Sequence, residues 1–345
     1  MQLDRSMLQQ AVTQGVLQAE QVAPLWALIE EANAGRPGFR ASHLLYYFGG
    51  LLAIGAMTLF MNLGWESFGG WGLLTICLGY GVIGLVGTEA LLKRQLTIPA
   101  GICATFVLVL TPLAIYGLQN GLGVWAGEHE YQDYHRYIDW RWLMMELSTL
   151  AVGAILLWRY RLPFLVMPIA VTLWYLSMDL TPFLFGQEDY DWLLRRWVSV
   201  YCGLLIMLLG FWVDIRTRHT QDYAFWLYLF GLMAFWGGLS SMSSESEWNK
   251  FIYLCINLGL LLIGAILSRR AFAVFAAFGI AGYLGYLAYD VFAQSMLFPF
   301  VVTFVGFAII YLGILWQRHE VMLTQRLRGL LPQALRELIE QRSGF

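Results

Sequence analysis

The sequence predicts an all-α, polytopic membrane bundle of about ten helices, with a parallel internal repeat and amphipathic helices at both ends. Three observations predict it. Of 345 residues, 59% are hydrophobic and only 13% charged, whereas about a quarter of a soluble domain is charged. Apolar runs of about twenty residues, enough to cross a roughly 30 Å hydrocarbon core, recur from Ser42 onward. The stretch Gly153–Asp179 returns without a gap as Gly264–Asp290, 111 residues later, with twelve of twenty-seven positions identical.

Residues 1–40 form the first unit. Leu3, Met7, Leu8, Ala11 and Val12, then Val22, Leu25, Trp26 and Ile29, fall at helical spacing around Gly15, which predicts two short amphipathic helices joined by a turn. They are too polar to span. Gly35, Pro37 and Gly38 end the pattern, and Arg36 and Arg40 mark the membrane edge. Forty polar and amphipathic residues before the first apolar run do not fit a cleavable signal peptide, so the first span is expected to act as its own insertion signal.

Residues 41–316 hold ten predicted spans, at 42–64, 71–91, 98–119, 142–158, 162–184, 196–214, 222–242, 250–268, 271–292 and 296–316. Period-two alternation is absent, so these read as helices rather than barrel strands. With the amino terminus inside, the inner segments carry sixteen basic residues, Arg159, Arg161, Arg269 and Arg270 among them, and the outer segments five. That positive-inside bias places both termini in the cytoplasm. Residues 317–345 close the chain with an amphipathic helix, Val321 to Ile339 on one face and arginines and glutamates on the other, bent at Pro332. It is expected on the inner leaflet or against the amino-terminal helices.

Both copies of the repeated hairpin enter from outside, turn on arginine and return, so they share one topology. This predicts two parallel four-span units, about 71–184 and 196–292, related by an axis along the membrane normal. Shared positions include Arg159 and Arg270, Tyr175 and Tyr286, and Asp179 and Asp290. Each Tyr stands four residues before its Asp and shares its helix face. Acids near lipid need a partner, water or a proton. Asp179, Asp290, Glu146, Tyr175 and Tyr286 are therefore candidates for one extracytoplasmic ion or substrate cavity. The alternative is that the aspartates sit at the boundary and cap the next segment, with Thr181 and Pro182 following Asp179. Glu89 stands at i, i+4 spacing from Lys93, an expected helical ion pair.

The outer loops are acidic and aromatic, which reads either as an interfacial belt or as a cation-attracting vestibule. In the run GEHEYQDYHRY, His129, Asp133 and His135 could bind a divalent metal, although the spacing matches no closed zinc pattern and a solvated loop is the simpler reading. All four cysteines lie inside apolar segments without CxxC spacing, so they indicate neither a disulfide framework nor a zinc site. A net charge of −2 suggests no nucleic-acid partner. No HExxH, GxSxG, P-loop or dinucleotide fingerprint is present, so neither an enzyme nor a cofactor is expected.

The Gly15 helix pair followed by YYFGGLLAIGAMTLFMNLGWESFGGWGLL, with Asn62, Trp65 and Glu66 at the end of the first span, resembles the start of the domain-of-unknown-function family numbered 2157, predicted bacterial membrane proteins. The resemblance covers about the first ninety residues. It implies a cytoplasmic helical module before a glycine-rich span, and placement in a bacterial inner membrane. It implies no activity and no site residues. The expected function is a small-solute or ion transporter. The alternative is a non-catalytic scaffold or sensor that binds a cytoplasmic protein through residues 1–34 or 317–343.

Overall fold

The computed structural model describes residues 8, 11–33, 41–125, 140–185, 192–216, 222–242, 244, 246–287, 289, 300, 303, 304, 306, 307 and 311. The terminal segment 317–343 and most of the predicted span 296–316 lie outside these residues. Among the described residues the chain is all-helical, with no strand.

A turn at Gly15, where φ is 71°, leads into α1 (Ala19–Asn33). Helix α2 (Ala41–Lys93) is broken at Gly69, at φ 61° and ψ 174°, a backbone region essentially reserved for glycine. The two halves run in opposite directions. Gly50 lies against Ile102 and the Tyr47 ring stacks on Phe164, whereas Gly70 lies against Gly121 and Gly84 against Val107. The chain therefore doubles back at Gly69. The predicted loop between residues 64 and 71 is helical on either side of that one residue.

After a tight turn with Gln95 at φ 61°, α3 (Thr97–Val109) and α4 (Thr111–Gly121) form one 25-residue crossing length. It is interrupted near Pro112, whose ring removes a backbone donor and crowds the preceding turn. Helix α5 (Trp140–Tyr160) turns through Arg161, at φ 52°, and a short 3₁₀ segment (Pro163–Leu165) into α6 (Val166–Phe185). Helix α7 (Trp192–Arg216) pairs with α8 (Ala224–Ser240), and α9 (Glu247–Leu267) pairs with α10 (Arg270–Tyr286). The last turn is made by Ser268 in the left-handed conformation.

Among the described residues, five helices are long and apolar enough to cross a membrane, namely Phe68–Lys93, Thr97–Gly121, Trp140–Tyr160, Trp192–Arg216 and Glu247–Leu267. Leu45–Met57, Pro163–Asp179, Ala224–Ser240 and Arg270–Tyr286 are shorter apolar helices. Their outward faces are greasy. Leu78, Val82, Ile83 and Val86 on α2 are exposed, as are Leu204, Leu205, Leu208 and Trp212 on α7, an arrangement stable in lipid and costly in water.

Small residues set the closest crossings. A Cβ on Gly70 would lie 2.2 Å from Gly121 N and 2.6 Å from Gly117 O, and a Cβ on Gly203 would lie 2.3 Å from Phe235 N and 2.6 Å from Gly231 O. The reciprocal approaches, Gly117 to Gly70 O and Gly231 to Gly203 O, are both 3.0 Å. The second half of α2 thus crosses α4 in the same way that α7 crosses α8. Lipid gives no hydrophobic drive to helix pairing, so backbone approach of this kind supplies the dispersion contact that does. The earlier helices join the later ones where α6 packs on α7 and α8 through Val166, Ala170, Ile206 and Leu227. The Phe164 ring also meets Trp226 edge-on.

Candidate functional site

The antiparallel pair α5–α6 closes tightly because Gly153 leaves room for Ile169, 2.8 Å from where a Cβ would stand. One consequence is that Glu146, on α5, and Asp179, on α6, come within interaction distance of each other. Asp179 is 5% exposed. One oxygen of Glu146, Oε2, is buried without a hydrogen bond. Helix α6 continues to Phe185, so Asp179 sits inside the helix and does not cap a following segment. For Asp179 the capping alternative is corrected: Thr181 donates its hydroxyl back to Ser177 O at 2.8 Å, as it does within a continuing helix.

Above this pair, Gln119 ties the α4 end to the start of α5. Its amide donates to Arg141 O and its carbonyl accepts from Trp125 Nε1, each at 3.2 Å. The Arg141 guanidinium lies over the Trp125 ring, 4.9 Å from its centroid.

Tyr175 and Tyr286 fall elsewhere. Tyr175 is exposed, with its ring beside Trp174. Tyr286 donates to Glu247 Oε1 at 2.8 Å and accepts from Lys250, whose ammonium also lies over the ring. That closed trio joins α9 to α10. Asp290, His129, Asp133 and His135 lie outside the described residues. Among the described residues, no three His, Cys, Asp or Glu side chains gather as a metal group, and all four cysteines are free.

Two features escaped sequence reasoning. Carried back seven residues from Gly153 and Gly264, the 111-residue spacing places Glu146 in register with Asn257. Asn257 is fully buried, accepts from Trp236 Nε1 at 3.2 Å and donates to Tyr253 O at 2.8 Å. It lies against Gly279, where a Cβ would stand only 1.9 Å from its Oδ1. Extending the alignment would have found the match. One hairpin thus carries an acid where the other carries a satisfied amide.

The second feature lies at the end of the bundle with the arginine turns. Arg269 grips Asp214 with Nη2 at 2.7 Å and Nε at 3.3 Å, and also pairs with Asp222. Tyr228 donates to Asp214 at 3.2 Å, and Asp222 accepts from Phe225 N at 3.1 Å, capping α8. Burial works against the Arg269 charge, but Asp222 and Asp214 outweigh it and hold the guanidinium above its ordinary range. On α2, Glu89 lies 3.8 Å from Arg159 and accepts from Tyr160 at 3.4 Å. Its partner is therefore across the bundle, a correction to the i, i+4 pairing with Lys93: the α5 turn brings a guanidinium within reach.

These elements define an all-α protein whose apolar helices are of membrane-crossing length and whose interior holds acidic and amide groups between paired helices. No family model, curated protein or solved structure matches the chain.

Proposed function

We propose that the protein is an integral membrane permease-like transporter of a small solute or ion, with Glu146 and Asp179 holding a cation or proton that couples its movement. The observation that carries this reading is the meeting of a 95%-buried aspartate with a glutamate that has a buried, unbonded oxygen, on two facing apolar helices. Like charges so placed repel strongly at low dielectric, and a bound cation or shared proton relieves the repulsion. Intramembrane acids of this kind are functional leads.

The wider reading is a ten-crossing chain of two parallel units, about 71–184 and 196–292, with both termini in the cytoplasm of a bacterial inner membrane. Its support is the arginine bias, the 111-residue match of Gly153–Asp179 with Gly264–Asp290, and the similar glycine crossings of α2 on α4 and of α7 on α8, which lie outside that register. The membership suggested by the first ninety residues belongs to the same proposal.

The test uses the full chain in lipid nanodiscs, with thermal unfolding followed across titrations of Na⁺, K⁺, Mg²⁺ and pH. The expected result is a saturable stabilisation by one cation or by protons that disappears in Glu146→Gln and Asp179→Asn. An identical response in the double variant sinks the proposal. If the parent chain shows no response and deletion of residues 1–34 removes a co-purifying protein, the scaffold reading replaces it.

A further inference from the structure

The same device stands twice at the arginine end of the bundle, in unequal strength. In each case an acid on a long helix (Glu89 on α2, Asp214 on α7) meets an arginine at or beside a hairpin turn (Arg159 at the end of α5, Arg269 before α10), and a tyrosine hydroxyl donates to the acid (Tyr160, Tyr228). The two pairs sit in opposite environments. Side chains of Glu89 and Arg159 are 52% and 62% exposed with a 3.8 Å separation, whereas those of Asp214 and Arg269 are 8% and 12% exposed at 2.7 Å, with Asp222 as a second carboxylate.

We propose that the two pairs are ionic latches with divided roles: the Arg269 latch is a permanent brace, and the Glu89–Arg159 latch is the one that releases to open this end of the bundle. The inference rests on the transport reading. An exposed single pair contributes little to stability, so it separates at thermal cost. A buried guanidinium with two carboxylates cannot separate without stranding charge. The brace joins α7, the start of α8 and the α9–α10 turn. Release of the weak latch parts the ends of α2 and α5, which meet with α3 over Leu92, Ala100 and Leu156, and admits water to that seam beside α3. Cys103 reports on that seam, since its sulfur would stand 3.9 Å from a Cβ at Gly87, within one turn of Glu89.

The experiment takes the full chain in nanodiscs with Cys77, Cys202 and Cys255 replaced by alanine, and measures labelling of Cys103 by a negatively charged, membrane-impermeant methanethiosulfonate. Glu89→Gln and Arg159→Gln are expected to raise the labelling rate roughly two- to fivefold, the range open to loss of one exposed pair, with the unfolding temperature retained. Arg159→Lys keeps the charge and is expected at the parental rate; a rate as high as that of Arg159→Gln overturns the proposal, because altered packing would then be the cause. Asp214→Asn is expected to lower the unfolding temperature without raising Cys103 labelling, and labelling raised as far as in Glu89→Gln overturns the division of roles. Flat labelling in Glu89→Gln and Arg159→Gln, with the Glu146-dependent cation response intact, overturns the latch alone. A parent chain with no cation response overturns the transport reading instead.

Discussion

Arg269 Nη2 meets Asp214 Oδ1 at 2.7 Å although 55 residues separate them in the chain. The pair is nearly closed to solvent, and Asp222 completes it from the start of α8. Arg269→Gln leaves two carboxylates facing each other without a cation, so it is expected to cost about 3–5 kcal/mol. Asp214→Asn still leaves Arg269 with Asp222 and is expected to cost less. Denaturant or thermal unfolding in one detergent ranks the two, and the reverse order would show that Asp222 is not a true partner.

Glycine crossings give a sharper contrast. Gly203→Ala forces a Cβ to 2.3 Å from Phe235 N and 2.6 Å from Gly231 O, backbone atoms that cannot move aside, and is expected to destabilise by about 1–3 kcal/mol or more. Gly237→Ala, in the same helix pair, meets nothing within 4 Å and is expected to be neutral or to stabilise by up to about 1 kcal/mol. The unfolding temperatures of the two variants should move apart.

Asn257 and Gly279 form a lock whose two halves fail differently. Asn257→Ala strands Trp236 Nε1 and is expected to cost about 1–3 kcal/mol. Gly279→Ala drives a methyl to 1.9 Å from Asn257 Oδ1 and is expected to push the α9–α10 hairpin open. Because the two residues touch, the double variant should fall short of the summed losses. Strict additivity would mean that they do not share one contact.

Glu89→Gln removes an exposed pair and is expected to change stability by less than about 1 kcal/mol. A loss as large as that of Arg269→Gln would require Glu89 to be buried in the membrane-embedded chain.

Helix positions were legible because the signal is local. An apolar run of sufficient length admits one backbone solution in lipid, so the predicted spans 98–119, 142–158 and 250–268 coincide with α3–α4, α5 and α9 to within a few residues. The break at Gly69 was less legible, because a chain reversal between two apolar runs reads as a loop where a single glycine suffices. Glu146 and Asp179 were both named from sequence, but their meeting depends on how deeply α6 packs against Gly153. The alignment pairs Arg159 with Arg270, yet Arg270 is exposed and its neighbour Arg269 carries the ion pair. A one-residue shift at a left-handed Ser268 turn is invisible to a register match.

The amino-acid sequence by itself determined that the chain is helical and apolar, where helices such as α5 and α9 run, and that Gly153–Asp179 matches Gly264–Asp290 at twelve of twenty-seven positions, because length, hydrophobicity and identity are properties of contiguous residues. Only the tertiary structure decided that Glu89 pairs with Arg159, that Tyr286 belongs with Lys250 and Glu247, and that Asp214, Asp222 and Arg269 share one buried network. These partners lie on different helices, and the distance between two helices is set by the small residues at their crossing, which bring one side chain within reach of another and leave its neighbour in the lipid.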